Sequence, residues 1–257
     1  MGKIIAIVNQ KGGVGKTTTA INLTAALGEQ GKKILLVDID PQGNSTTGLG
    51  VQKKSIVASS YDIMVNKSNP LLAIMPTKYK NVSLIPCNMD LVGGEIELID
   101  EDDRESRLKK ALAFIQEKYD YIILDCPPSL SIITVNALCA ANTVLIPMQC
   151  EYYAMEGLSQ LMSTVRQVKR LYNSYLDIEG VLLTMYDGRL NLTQQVVSEI
   201  KKYFNKQVFS SVIPRSVRLA EAPSFGEPIT YYDKNSKAAI AYTDLAKEII
   251  KNNKKQK

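Results

Sequence analysis

Apolar residues recur along this chain in short continuous runs, separated by stretches whose apolar positions repeat at helical spacing. Residues 3–8, 34–38, 82–85, 121–125, 143–147 and 178–185 read as strands, with a shorter one near 208–213. Several of these runs are continuous rather than alternating, the pattern of strands covered on both faces. Residues 17–29, 104–118, 132–140, 155–171 and 193–204 carry helical patterns, and a last helix spans 236–251. Strand-then-helix order repeated in this way predicts an α/β fold, a doubly wound, mostly parallel sheet flanked by helices. No repeat, low-complexity stretch or Pro/Gly linker divides the chain, so residues 1–251 read as one domain and 252–257 as a basic, frayed tail. With 257 residues, 45% of them hydrophobic, such a domain can bury a substantial core.

The first apolar run gives way to Gln10-Lys11-Gly12-Gly13-Val14-Gly15-Lys16-Thr17-Thr18, and a helical pattern follows at once. Glycines between a buried strand and a helix let the backbone turn its N–H groups inward. The helix N-terminus adds free donors and partial positive charge, so the segment suits a polyanion. This is a phosphate-binding loop of the general form G-x-x-x-x-G-K-[ST]. Gln10 stands where the first glycine of that form would be, and a second lysine, Lys11, sits at the mouth. The loop chemistry assigns Lys16 to the β- and γ-phosphates and the Thr17 hydroxyl to Mg²⁺.

Two other strands end in acids. The second closes on Val37-Asp38-Ile39-Asp40-Pro41, which places Asp38 and Asp40 on one side if the strand persists to the proline. The run Tyr121-Ile122-Ile123-Leu124-Asp125 has the form of a Walker B element, whose carboxylate holds Mg²⁺ directly or through water. Thr17, Asp40 and Asp125 are therefore the candidate metal set.

Charge is divided unevenly. Residues 1–150 hold 15 basic and 15 acidic side chains, so the formal net charge of +5 lies wholly in the second part of the chain. Lys254, Lys255 and Lys257 supply three of those charges; Arg166, Lys169, Arg170, Arg189, Lys201, Lys202, Lys206, Arg215 and Arg218 form an interior basic set suited to phosphate backbones. No histidine is present, which leaves proton transfer and water positioning to carboxylates, lysines or backbone groups. Cys87, Cys126, Cys139 and Cys150 form no C-x-x-C pair and lie in or beside apolar segments, so they read as buried free thiols. With no signal peptide and no apolar run of membrane-spanning length, these thiols predict a cytoplasmic protein.

KGGVGKTT, VDIDPQGN, ILDCPPS, PMQCEYYAMEGL and VIPRSVRLAEAPSFGEPI, spread from the first strand to the last helix, together resemble the ParA/Soj partitioning ATPases of the deviant Walker A class. The resemblance implies a nucleotide-sandwich homodimer that binds ATP and Mg²⁺, hydrolyses ATP slowly to ADP, and coats nucleoid DNA without sequence preference. A ParB-like centromere-binding partner would stimulate hydrolysis. By the same resemblance Lys11 reaches the partner's ATP in trans, as an arginine finger does, and Gly12 permits close approach of the two subunits. Lys11, Gly12, Gly13, Val14, Gly15, Lys16, Thr17 and Thr18 cradle the phosphates. Asp40 orients the attacking water with Asp38 as its neighbour, Met185 and Pro214 border the adenine, and Arg189 and Arg218 touch DNA. A membrane-cycling division regulator like MinD shares the loop, but the segment 246–255 has only two large apolar residues among its lysines, a poor membrane anchor. A nitrogenase-iron-protein-like redox role is disfavoured because Cys126 directly follows Asp125.

Overall fold

The computed structural model describes residues 2–151 and 154–254. In chain order, β1 (Lys3–Ile7) leads through α1 (Lys16–Glu29) to β2 (Ile34–Asp38). Two short helices follow, α2 (Asn44–Gly48) and α3 (Ser60–Met64), then β3 (Met75–Pro76) and β4 (Val82–Ile85). Helices α4 (Asp90–Glu97) and α5 (Arg107–Ala113) precede β5 (Tyr121–Asp125), α6 (Ile132–Ala140) and β6 (Thr143–Gln149). The chain finishes with α7 (Ala154–Leu171), β7 (Asp177–Thr184), α8 (Asn191–Phe204), α9 (Val217–Glu221), α10 (Ile229–Tyr232) and α11 (Lys237–Lys254).

The seven strands form one sheet in the order β3-β4-β2-β5-β1-β6-β7, parallel except for the edge strand β3. Every residue of β2 and β5 is buried, which is why their sequences read as unbroken apolar runs. One core cluster takes in Val37, Leu124, Leu108 and Leu161, with helices α3 to α8 on that side of the sheet. The other takes in Ile5, Leu36, Leu23 and Tyr242, with α1, α10 and α11 covering it.

Strand order decides where the site falls. Although β5 follows β1 by more than a hundred residues, it lies between β2 and β1, and its register sets Asp125 opposite both Asp38 and Ile7. The carboxyl ends of these central strands therefore meet at the topological switch point, where open α/β sheets bind ligands.

The sequence reading needs correction at four places. Residues 208–213 make only isolated bridges, Val181 to Val208 and, just beyond, Tyr186 to Pro214, instead of a strand. The helix predicted over 104–118 is broken into a 3₁₀ turn, the short α5 and a second 3₁₀ turn. The antiparallel edge strand β3 and the short helices α2, α3, α4, α9 and α10 were not anticipated. The last helix continues to Lys254, so residues 252–254 are helical rather than frayed, and residues 255–257 lie outside the described residues.

Candidate functional site

The loop after β1 is held by side chains, through the carbonyls of Gly13 and Val14 and the N–H of Lys11. Gln149 Nε2 donates to Gly13 O (3.0 Å), Thr184 Oγ1 donates to Val14 O (2.8 Å), and Asn9 Oδ1 accepts from Lys11 N (3.0 Å). Gly13 and Gly15 have φ of +72° and +88°, a region that side chains rarely tolerate. Gly15 is the N-cap of α1 and makes no side-chain cap, so the first helical donors remain available to an anion.

The two lysines of the loop face different ways. Lys16 is buried and its ammonium donates to Lys11 O at 3.1 Å, within its own loop. Burial lowers its pKa, while the nearby Asp125, Cys126 and Asp40 pull it back up. Lys11 instead carries its ammonium to the surface, where it meets Glu151 Oε2 at 2.5 Å. Tyr152 and Tyr153, which follow Glu151 in the PMQCEYYAMEGL motif, lie outside the described residues.

Three acids cluster beside the loop. Asp125 is fully buried; its Oδ2 accepts from Ser45 Oγ at 2.6 Å, and its Oδ1 has no partner among the described residues. Burial raises its pKa, offset in part by the Ser45 and Thr17 hydroxyls. Asp38, also fully buried, accepts from Thr46 N (2.8 Å), Thr46 Oγ1 (2.7 Å) and Asp40 N (3.2 Å). Burial, and then repulsion from Asp125, raise its pKa. The strand ends at Asp38, not at the proline, so Asp40 sits in the loop beyond it and braces the turn by accepting Gln42 N at 2.9 Å. Asp38, not Asp40, is thus the register neighbour of Asp125.

Beside the phosphate loop lies a cavity of about 230 Å³, bordered by Gly15, Thr18, Met185, Pro214, Leu219 and Tyr242. Tyr186 N donates to Ile213 O at 2.9 Å, which brings the Met185 and Pro214 segments together. In the chain, Arg189 follows Met185 by four residues and Arg218 follows Pro214 by four. Each is already ion-paired: Arg189 grips Asp187 through Nε (2.9 Å) and Nη2 (2.7 Å), and Arg218 reaches Glu221 at 3.2 Å. Arg189 holds the Asp187 carboxyl down to about 2.

The chain matches a family model described as an AAA domain over residues 2–178. It is 57% identical to the sporulation initiation inhibitor protein Soj of Bacillus subtilis, across 98% of this chain and 100% of that one. It is 51% identical to the chromosome partitioning protein ParA of Myxococcus xanthus, across 98% and 89% of the two chains. The chain belongs to the ParA/Soj family of partitioning ATPases. A solved structure titled as cobyrinic acid a,c-diamide synthase from Mycobacterium smegmatis, with bound ADP and magnesium, superposes on this ParA/Soj-family chain with a TM-score of 0.88. That pair is 36% identical and covers 100% of this chain and 97% of the other.

Several residues of this ParA/Soj-family site escaped the sequence reading. Ser45 and Thr46 grip the two buried acids, and Glu151 holds Lys11. Ser45 and Thr46 had a usable signal, since two hydroxyls follow the Asp-Pro-Gln-Gly-Asn turn that opens α2. Glu151 had none, because its partner is 140 residues away.

Proposed function

We propose that this ATPase is an ATP-dependent dimeric switch that binds DNA without sequence preference and drives chromosome or plasmid segregation. The observation that carries the reading is the orientation of the two lysines. Lys16 turns into its own loop, whereas Lys11 ends on the outer surface, where it can serve a nucleotide held by a second copy. Val92 and Ile96 on α4, with Met89 and Ile99 just outside its two ends, are exposed apolar residues that support a second copy on this edge. Helix α4 stands beside the site, for Ser131, just past the Asp125 strand, donates to its Glu95 at 2.5 Å.

The donor set fits a hard divalent cation. Asp125 Oδ1 is a buried acceptor with no partner among the described residues, and the Thr17 hydroxyl is close enough to lower the Asp125 pKa. Thr17 and Asp125, with Asp40 at the mouth, would hold Mg²⁺, which when bound offsets charge on the β- and γ-phosphates. The N–H groups of residues 12–18 receive the phosphate oxygens, and Lys16 meets the β- and γ-phosphates. Met185 and Pro214 enclose the base. Asp40 orients the attacking water, and Lys11, arriving in trans, stabilises charge on the γ-phosphate. The chain has no histidine, so water activation falls to carboxylates, which suits slow turnover accelerated by a ParB-like partner.

Arg189 and Arg218 are the proposed DNA contacts. In the dimer the two pairs would add their potentials on one surface and tie DNA affinity to ATP. The protein would then act on the nucleoid in the cytoplasm. A MinD-like membrane cycle finds less support. Ile249 is fully buried and Ile250 packs against the same core, so the two large apolar residues of 246–255 are committed inward, while Ile240 near the start of α11 is exposed. Among the described residues no helix is long and apolar enough to cross a membrane.

The test is ATP-dependent binding of duplex DNA, read by fluorescence anisotropy at two salt concentrations. Lys11→Ala and the double variant Arg189→Glu, Arg218→Glu should both lose ATP-dependent binding. Asp187→Asn, which frees Arg189, should bind several-fold tighter. Wild-type affinity in the double variant would refute the DNA role.

A further inference from the structure

The turn after Asp40 has one side toward the nucleotide site and the other toward solvent. Asp40 is 7% exposed, and its charge acts on both Lys16 and Asp125, so its carboxylate lies within the site. Gln42 and Asn44, on the outer side, are exposed. Two bonds shape the turn: Gln42 N donates to Asp40 Oδ1 at 2.9 Å, and Gly43 N donates to Asp40 O at 2.8 Å. Gly43 has φ of +61° and is the N-cap of α2, whose Ser45 and Thr46 grip Asp125 and Asp38. A Cβ on Gly43 would stand 2.8 Å from Cys87 O and 3.2 Å from Lys53 Cε, so the turn is wedged between the exit of β4 and the stem of Lys53.

Lys53 belongs to none of the machinery described above, yet it closes this turn from outside. It opens a 3₁₀ turn (Lys53–Ser55), and its ammonium donates to Gln42 O at 2.6 Å. The Gln42 carbonyl and the Gly43 N–H belong to one planar peptide group and point in opposite directions. Lys53 holds the oxygen of that group, and Asp40 O receives its hydrogen. Rotation of the peptide would break the Gly43 bond and release the backbone of Asp40. A charged donor holds a carbonyl more firmly than a neutral one, which suits a contact made at the surface.

We propose that Lys53 is a positioning residue for ATP hydrolysis: by fixing the Gln42–Gly43 peptide it keeps Asp40 where that carboxylate orients the attacking water. The inference rests on the role given to Asp40 above. Lys53 acts through the turn, so it governs the chemical step and leaves the affinity for nucleotide alone. Misplacement of a catalytic group by a fraction of an ångström is enough to slow such a step.

The experiment measures phosphate release from Mg·ATP by the full chain and by three variants. Lys53→Met keeps the stem and loses the donor, Lys53→Arg keeps a charged donor, and Asp40→Ala removes the carboxylate. Lys53→Met should lower kcat about fivefold, the loss expected of one such bond. Its KM for ATP, its Mg·ADP affinity and its ATP-dependent dimerisation should match wild type. Lys53→Arg should recover most of the lost rate. A wild-type kcat in Lys53→Met, no recovery by arginine, or an equal fall in ADP affinity or dimerisation would each overturn the proposal. Asp40→Ala separates the two readings. Full turnover there would remove the role of Asp40 and this proposal with it, whereas an inactive Asp40→Ala beside an unimpaired Lys53→Met would overturn the role of Lys53 alone.

Discussion

Asp38 and Asp125 end adjacent strands in direct register, and both carboxyls are fully buried. Desolvation is the main reason that each holds its proton more tightly than an ordinary carboxyl, and mutual repulsion strengthens the effect at Asp38. The folded chain therefore keeps protons at pH values where the unfolded chain has lost them. Stability contributed by this pair is present at low pH and declines as pH rises above the ordinary carboxylate value of about 4. In metal-free protein the urea midpoint should fall between about pH 5 and neutrality, and Asp38→Asn should flatten that slope. Added Mg²⁺ and ADP should restore the midpoint at neutral pH, because a cation then replaces the protons. A midpoint that rose with pH without metal would contradict this account of the two acids.

Short elements determine how the site is braced, and they depend on contacts from distant parts of the chain. Helix α2 has only five residues, too few for a periodic signal, yet it supplies Ser45 and Thr46. Thr46 Oγ1 donates to Asp38 and accepts from Cys87 N at 3.0 Å, which joins α2 to the ends of β2 and β4. Thr46→Val keeps the shape but leaves a buried N–H and a buried carboxylate short of a partner. It should destabilise the protein by about 1–3 kcal/mol in urea unfolding. The two misread segments have equally specific causes. Residues 208–213 run beside β7, but Ser210 N and Ser211 N donate to Glu248 on α11 (2.8 and 3.0 Å) in place of a second strand. The helix predicted over 104–118 breaks near its start because Asn136 on α6 takes both Arg104 O (2.6 Å) and Leu108 N (3.1 Å). Neither Glu248 nor Asn136 is close in sequence to what it interrupts.

At the scale of the whole molecule, the loop after β1 has open space beside Gly12. A Cβ placed on Gly12 would meet nothing within 4 Å in its own chain, unlike the conformational demands at Gly13 and Gly15. Gly12→Val should therefore fold with wild-type stability, to within about 0.5 kcal/mol, and still bind ADP. If the second copy packs there, ultracentrifugation will show it monomeric in ATP; dimers formed as readily as by wild type would remove Gly12 from the interface. The ion pair between Lys11 and Glu151 is partly exposed, and such pairs contribute about 0–1 kcal/mol, so it presents a small barrier to Lys11 leaving for a partner.

The phosphate loop, the helix behind it and the acid at the end of β5 were legible in the sequence because local rules govern them. Glycine tolerance of positive φ, the donors of a helix N-terminus and the unbroken apolar run of a doubly covered strand all act over a few residues. Tertiary structure decided the rest: the pairing of Asp38 with Asp125 and the capture of Lys11 by Glu151. These follow from strand order and helix packing, which are set by burying both faces of one sheet. That burial joins residues separated by tens to more than a hundred positions, beyond the reach of any local preference.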